Sequence, residues 1–128
     1  MLNYLSRFLL ARRFLPALSR APSGRLVLVS NAGNYGDSLD INDLQYRHGR
    51  PGLRVSARTQ FANDLLAVEL ADRYRNTAVE VTCVFPGVVR TDLFRHATGV
   101  RRPLRVMLTT LAGRFGLPLD VAADTPAW

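Results

Sequence analysis

Lysine is missing from this chain; all 17 of its basic residues are arginine. A guanidinium stays charged at any working pH, so no side chain here can serve as a titrating amine. The single cysteine, Cys83, excludes an internal disulfide. It lies in an apolar run, which predicts a buried and inert thiol. Two histidines, His48 and His96, stand in polar surroundings and read as surface residues. Histidine, cysteine and carboxylate never cluster at ligand spacing, so no metal site is expected. No apolar run approaches the roughly twenty residues needed to cross a bilayer. Acidic residues are absent before Asp37, while Arg7, Arg12, Arg13, Arg20 and Arg25 precede it. Such a start imitates an organelle transit peptide, but the arginines rule out a secretory signal. We read it as a folded helix.

What remains is ordinary globular material. The chain has 128 residues, 48% hydrophobic and 21% charged. That length suits one small domain, residues 1–128, able to bury roughly two thirds of its unfolded surface. The net charge of +7 raises nucleic acid or an anionic membrane as partners. The arginines are spread along the whole chain without interleaved aromatics, so nucleic-acid binding is not expected. The expected location is cytoplasmic.

Leu2 to Leu18 carries apolar residues at three- and four-residue spacings and predicts a helix. Ala21-Pro22-Ser23-Gly24 is a loop. Arg25 to Ser30 is a short β-branched run without alternation, as in a strand buried on both faces of a parallel sheet. A polar stretch follows from Asp37 to Arg54, with Pro51-Gly52 as a turn. Ala57 to Arg75 is the strongest helix. Its two apolar stripes are Phe61, Leu65, Val68 and Ala62, Leu66, Leu70; one suits a sheet and the other a second helix. Val79 to Phe85 reads as a second buried strand, ended by Pro86-Gly87. Arg101 to Phe115 predicts a helix after Pro103, and Pro118 to Trp128 the start of another. Strand, long helix and strand make a βαβ unit with parallel strands. Its unpaired sheet edges favour association with another chain.

Several segments then become specific. They are Leu2-Asn3-Tyr4-Leu5, Gly24-Arg25-Leu26-Val27-Leu28-Val29-Ser30, Phe61-Ala62-Asn63, Glu69-Leu70-Ala71, and Phe85-Pro86-Gly87-Val88-Val89-Arg90-Thr91-Asp92-Leu93. In this order and spacing they resemble the second half of a short-chain dehydrogenase/reductase, in its retinol-dehydrogenase-like branch. The resemblance implies an α/β fold: a partial, doubly wound Rossmann sheet of about two parallel strands with three or four helices. It aligns the chain's start with the family's fourth helix. The glycine-rich turn that holds a dinucleotide pyrophosphate at a helix N-terminus is therefore expected to be lacking. Asn31-Ala32-Gly33 looks like a family signature but follows the wrong strand, and reads as a coincidental loop.

The resemblance also places a catalytic set. The family's asparagine falls on Asn3, its serine on Asn31 (with Ser30 one place earlier), its tyrosine on Ser56 and its lysine on Gln60. Pro86, Gly87 and Thr91 match the loop that lines the nicotinamide in the family. Ser56 and Gln60, four apart on one helical face, can form a neutral pair at a pocket mouth. Arg58 is offset from that face. A serine hydroxyl is far less acidic than a phenol, and Gln60 brings no charge to sharpen it. Without the tyrosine and lysine, hydride transfer is not expected. NAD(P) is expected only if the missing half is supplied. Two roles remain: a non-redox enzyme acting on a small apolar carbonyl compound by cyclisation, isomerisation or dehydration, or a non-catalytic scaffold. The scaffold would form a homodimer or pair with an intact family member. The alternative is an NAD(P)-dependent alcohol/ketone oxidoreductase completed by another chain.

Overall fold

The structure, a computed structural model, describes residues 2–33, 39–49, 52–95 and 99–124. His96 and the end of the last expected helix lie outside the described residues. Helix α1 spans Leu2–Leu18, strand β1 Gly24–Val29, helix α2 Leu53–Tyr74 and strand β2 Val79–Val84. Helices α3, Arg102–Phe115, and α4, Leu119–Asp124, follow. The fold is α/β, with two parallel strands covered on one face by helices, in the manner of a partial Rossmann unit.

α1 occupies the range its apolar spacing predicts. Pro16 sits in its last turn on the solvent side, where one lost backbone bond is tolerated. α2 begins four residues earlier than expected. Gly52, with φ of 140°, turns the chain, and its carbonyl accepts from the Val55 N–H at 3.1 Å. That φ is open to glycine and strained for other residues. α3 starts just ahead of Pro103, whose missing N–H costs nothing in a first turn.

β1 and β2 pair in register from Gly24↔Val79 to Val29↔Val84. α1 and α2 cover one face of this sheet. Ala11 and Leu15 from α1, Leu66, Ala67 and Leu70 from α2, Leu28 and Val79 form the core. Leu26, Val81 and Cys83 pack against it from the same sheet face.

The expectation that both strand faces are buried is corrected. Arg25, Val29, Glu80 and Thr82 point to the second face and are exposed. An Arg25–Glu80 ion pair of 3.8 Å bridges neighbouring strands there. The apolar residues Val27, Val29 and Val84 hid this alternation, because they stand on the open face too. α2 likewise buries only one of its stripes: Ala62, Leu66 and Leu70 are buried, while Leu65 and Val68 are exposed.

Candidate functional site

The site forms where β1 runs out against the first half of α2. Even-numbered residues of β1 face the helix, so Ser30 continues the row of Leu26 and Leu28 and is buried. Its N–H extends the strand ladder by one bond to Val84 O, at 2.9 Å. Its hydroxyl lies 2.9 Å from Gln60 Oε1 and 3.1 Å from the Gln60 carbonyl. Ser30 is therefore a side chain that meets Gln60.

Past Ser30 the chain turns sharply. Ala32 and Gly33 take positive φ values of 46° and 82°. Ala32 is strained in this region by roughly 1–2 kcal/mol, whereas Gly33 is at ease there. The turn aims successive N–H groups at one point. The Asp64 carboxylate of α2 fills that point. Its Oδ1 accepts from the Asn31 and Ala32 N–H groups, each at 3.2 Å, and its Oδ2 from the Gly33 N–H at 2.9 Å. Cys83 Sγ of β2 lies 3.4 Å from Oδ1. A loop that reads as coincidental in sequence is thus a nest clamped by an internal anion.

Electrostatics follow from this geometry. Burial works against ionising Asp64, yet the Gly33 and Asn31 N–H groups help to outweigh it and hold the carboxyl below its ordinary value. Burial raises the Cys83 thiol above its ordinary value; the Asp64 hydrogen bond and charge add to the rise, against an opposing bond with Ala32. The thiol is half-buried and protonated at neutral pH, in line with an inert cysteine. Alkylation by iodoacetamide should be slow at neutral pH and accelerate only as pH climbs past the ordinary thiol value of 9.0. Asp64→Asn should speed it, because a nearby negative charge is removed. Fast alkylation of the parent chain at neutral pH would contradict this assignment.

The other expected positions stand outside this network. Ser56 is exposed, and it contributes its backbone carbonyl to Thr59 Oγ1 at 2.9 Å. The expected Ser56–Gln60 pair is therefore not made; Gln60 turns to Ser30. Asn3 is exposed in the first turn of α1. Gly87, with φ of 80°, starts a loop whose Val88 carbonyl and Arg90 N–H bond Leu117 at 2.8 and 2.9 Å. Pro86 is half-buried in this loop, and Thr91 caps the short turn after it. Pro86, Gly87 and Thr91 thereby join β2 to the segment between α3 and α4.

Arg58 points away from Gln60, as its offset predicts. It lies over the Tyr46 ring, 4.6 Å from the centroid, and 3.9 Å from Asp40, and donates to the Asp43 carbonyl. His48 is on the surface, 3.6 Å from Asp43. Among the described residues no cluster of histidine, cysteine and carboxylate suits a metal.

Sequence reasoning missed Asp64, and it used Asn63 only as part of the Phe61-Ala62-Asn63 segment. Asp64 extends the Ser56–Gln60 row by one more helical turn, and a lone carboxylate in that row was the available signal. Asn63 is wholly buried, and its amide nitrogen and oxygen have no partner among the described residues. Its neighbour Thr59, one turn earlier, is buried too. Nothing in the apolar pattern marks either one.

No family model matches the chain, and no solved structure matches it. Individual relatives do. Dehydrogenase/reductase SDR family member 13 of Bos taurus is 36% identical over 105 residues, covering 80% of this chain and 28% of the relative. Retinol dehydrogenase 14 of Homo sapiens is 39% identical over 95 residues, covering 73% and 28%. Polyprenol dehydrogenase of Mus musculus is 34% identical over 112 residues, covering 83% and 33%. The chain thus spans about a third or less of the length of these curated relatives. With the parallel βαβ unit and the order of its motifs, these matches place the chain in the short-chain dehydrogenase/reductase family.

Proposed function

We propose that this chain is a non-redox member of its family that works by association, through the outer faces of α1 and α2. The observation that carries this reading is the state of Gln60. Where the resemblance puts an activating ammonium, a neutral amide gives its oxygen to Ser30. Reducing a carbonyl needs an acid that can deliver a proton near neutral pH. The exposed aliphatic hydroxyl at Ser56 is far too weak an acid for that. The polar groups around Gln60 instead tie β1 to α2.

The outer faces of the helices support association. Leu65 and Val68 on α2, and Leu2, Leu5 and Leu9 on α1, are exposed. A second copy of this chain, or a longer member of the family, can cover them, and the cytoplasm is the location that goes with this reading. No described helix is long and apolar enough to cross a membrane.

Two measurements test the proposal. Titration with NADH and NADPH, followed by fluorescence, should show no saturable binding, and alcohols and ketones should not turn over. Sedimentation should give a dimer that Leu65→Glu converts to a monomer. Nucleotide binding with turnover would establish the oxidoreductase alternative, and a folded monomeric parent would remove self-association.

Asp64 favours a second reading. It puts an ionised group one turn beyond Gln60, beside Ser30 and Cys83, and such a set can orient an apolar carbonyl compound for cyclisation, isomerisation or dehydration. Two of the relatives are named for retinol and polyprenol, which fits an apolar substrate. Turnover of hydrophobic carbonyl compounds that falls in Gln60→Ala would decide for it.

A further inference from the structure

We propose that α3 and α4 form a docking face for an anionic lipid surface. α3 is held to the body by one side: Ala112 is only 2% exposed, and Leu108 and Thr109 are half-buried beside it. The adjoining side carries Leu104, Met107, Leu111 and Phe115, at spacings of three, four and four. At 3.6 residues per turn these form one stripe. All four are exposed, Phe115 at 72%. Leu119 and Val121 of α4 continue the exposed apolar surface.

Charge decides what covers it. Between Asp92 and Asp120 there is no acidic residue, while Arg101, Arg102, Arg105 and Arg114 line or precede α3. None of these four forms an ion pair among the described residues. Arg101 and Arg102 stand at the helix N-terminus, whose first turn holds no acid. Cations there oppose the helix dipole and weaken the helix unless an anion neutralises them. An apolar stripe flanked by arginines is the pattern of a helix lying in a membrane interface, with acyl chains under the stripe and phosphates around it. A second copy of the chain fits poorly, because it would bring the same four cations against these. Nucleic acid would satisfy the arginines and leave the stripe in water.

The test is co-sedimentation of the full chain with vesicles. One set is an equimolar mixture of phosphatidylcholine and phosphatidylglycerol, and the other is phosphatidylcholine alone. The chain should pellet with the anionic vesicles, weakly with the neutral ones, and be released by salt. Each arginine near an anionic surface contributes roughly fivefold in partitioning, so Arg101→Gln with Arg102→Gln should weaken binding roughly 25-fold. Leu111→Asp or Phe115→Ser should also lower pelleting, while Leu65→Asp on α2 should not. Absence of pelleting, equal pelleting with both vesicles, or pelleting indifferent to Leu111→Asp and Phe115→Ser would overturn the proposal. So would a fall in sedimentation coefficient caused by Leu111→Asp, which would mean that a second copy covers the stripe.

Discussion

Replacing Asp64 by alanine is expected to lower the unfolding free energy by about 2–3 kcal/mol, because it removes three hydrogen bonds to an ionised acceptor. The Asn31 N–H is the costliest to orphan, since Asn31 is only 4% exposed. Ala32 and Gly33 are exposed, so water takes over part of their bonding. Relief of the strain at Ala32 offsets part of this loss, because the residue can leave positive φ once the carboxylate is gone.

The pH dependence gives a second handle. The folded Asp64 carboxyl lies below its ordinary value of 3.8. Its stabilisation is therefore fully present above that value and is lost as pH falls through the lower, folded one. The gap between parent and variant should be widest at neutral pH and close in acid. Asp64→Asn should likewise flatten the acid limb. Urea unfolding at neutral and acidic pH measures both. A variant within about 0.5 kcal/mol of the parent at neutral pH would mean that the carboxylate does not hold the turn.

Leu15→Ala should cost about 2–5 kcal/mol. Leu15 is 3% exposed and lies in the core that joins α1 to α2 and to the helix side of the sheet. Leu10→Ala, on the same helix, is the internal comparison. Leu10 is 55% exposed, and leucine and alanine have similar helix propensities, so the change should stay within about 0.5 kcal/mol. Thermal or urea unfolding of the two variants reads out the rotation of α1. Equal effects would mean that this helix packs by a different face. With so small a core, Leu15→Ala is also expected to shift the midpoint by several degrees or leave the chain unfolded at room temperature.

Much of the architecture was legible because it follows from local pattern. The apolar spacing from Leu2 to Leu18 and the two stripes of α2 obey the helical period. The β-branched runs before Ser30 and after Val79 obey the strand preference. Parallel pairing followed from the length of the helix between them. The early start of α2 was not legible, because it depends on a backbone angle at Gly52. The burial of the strands was misread: a β-branched run looks alike whether a second layer covers it or not. Which α2 stripe packs inward was also beyond the pattern, since Leu65 and Leu66 are the same residue type.

The candidate site divides along the same line. Order and identity of the motifs were enough to reveal the family, and the spacing of Ser56 and Gln60 the helical row they share. That Ser30 meets Gln60, and that Asp64 closes a nest over residues 33 positions or fewer before it, arose only when strand and helix came together. The reason is physical. A helix or strand periodicity is written in neighbours along the chain, whereas a carboxylate meeting three backbone N–H groups depends on the angle and depth at which two elements pack.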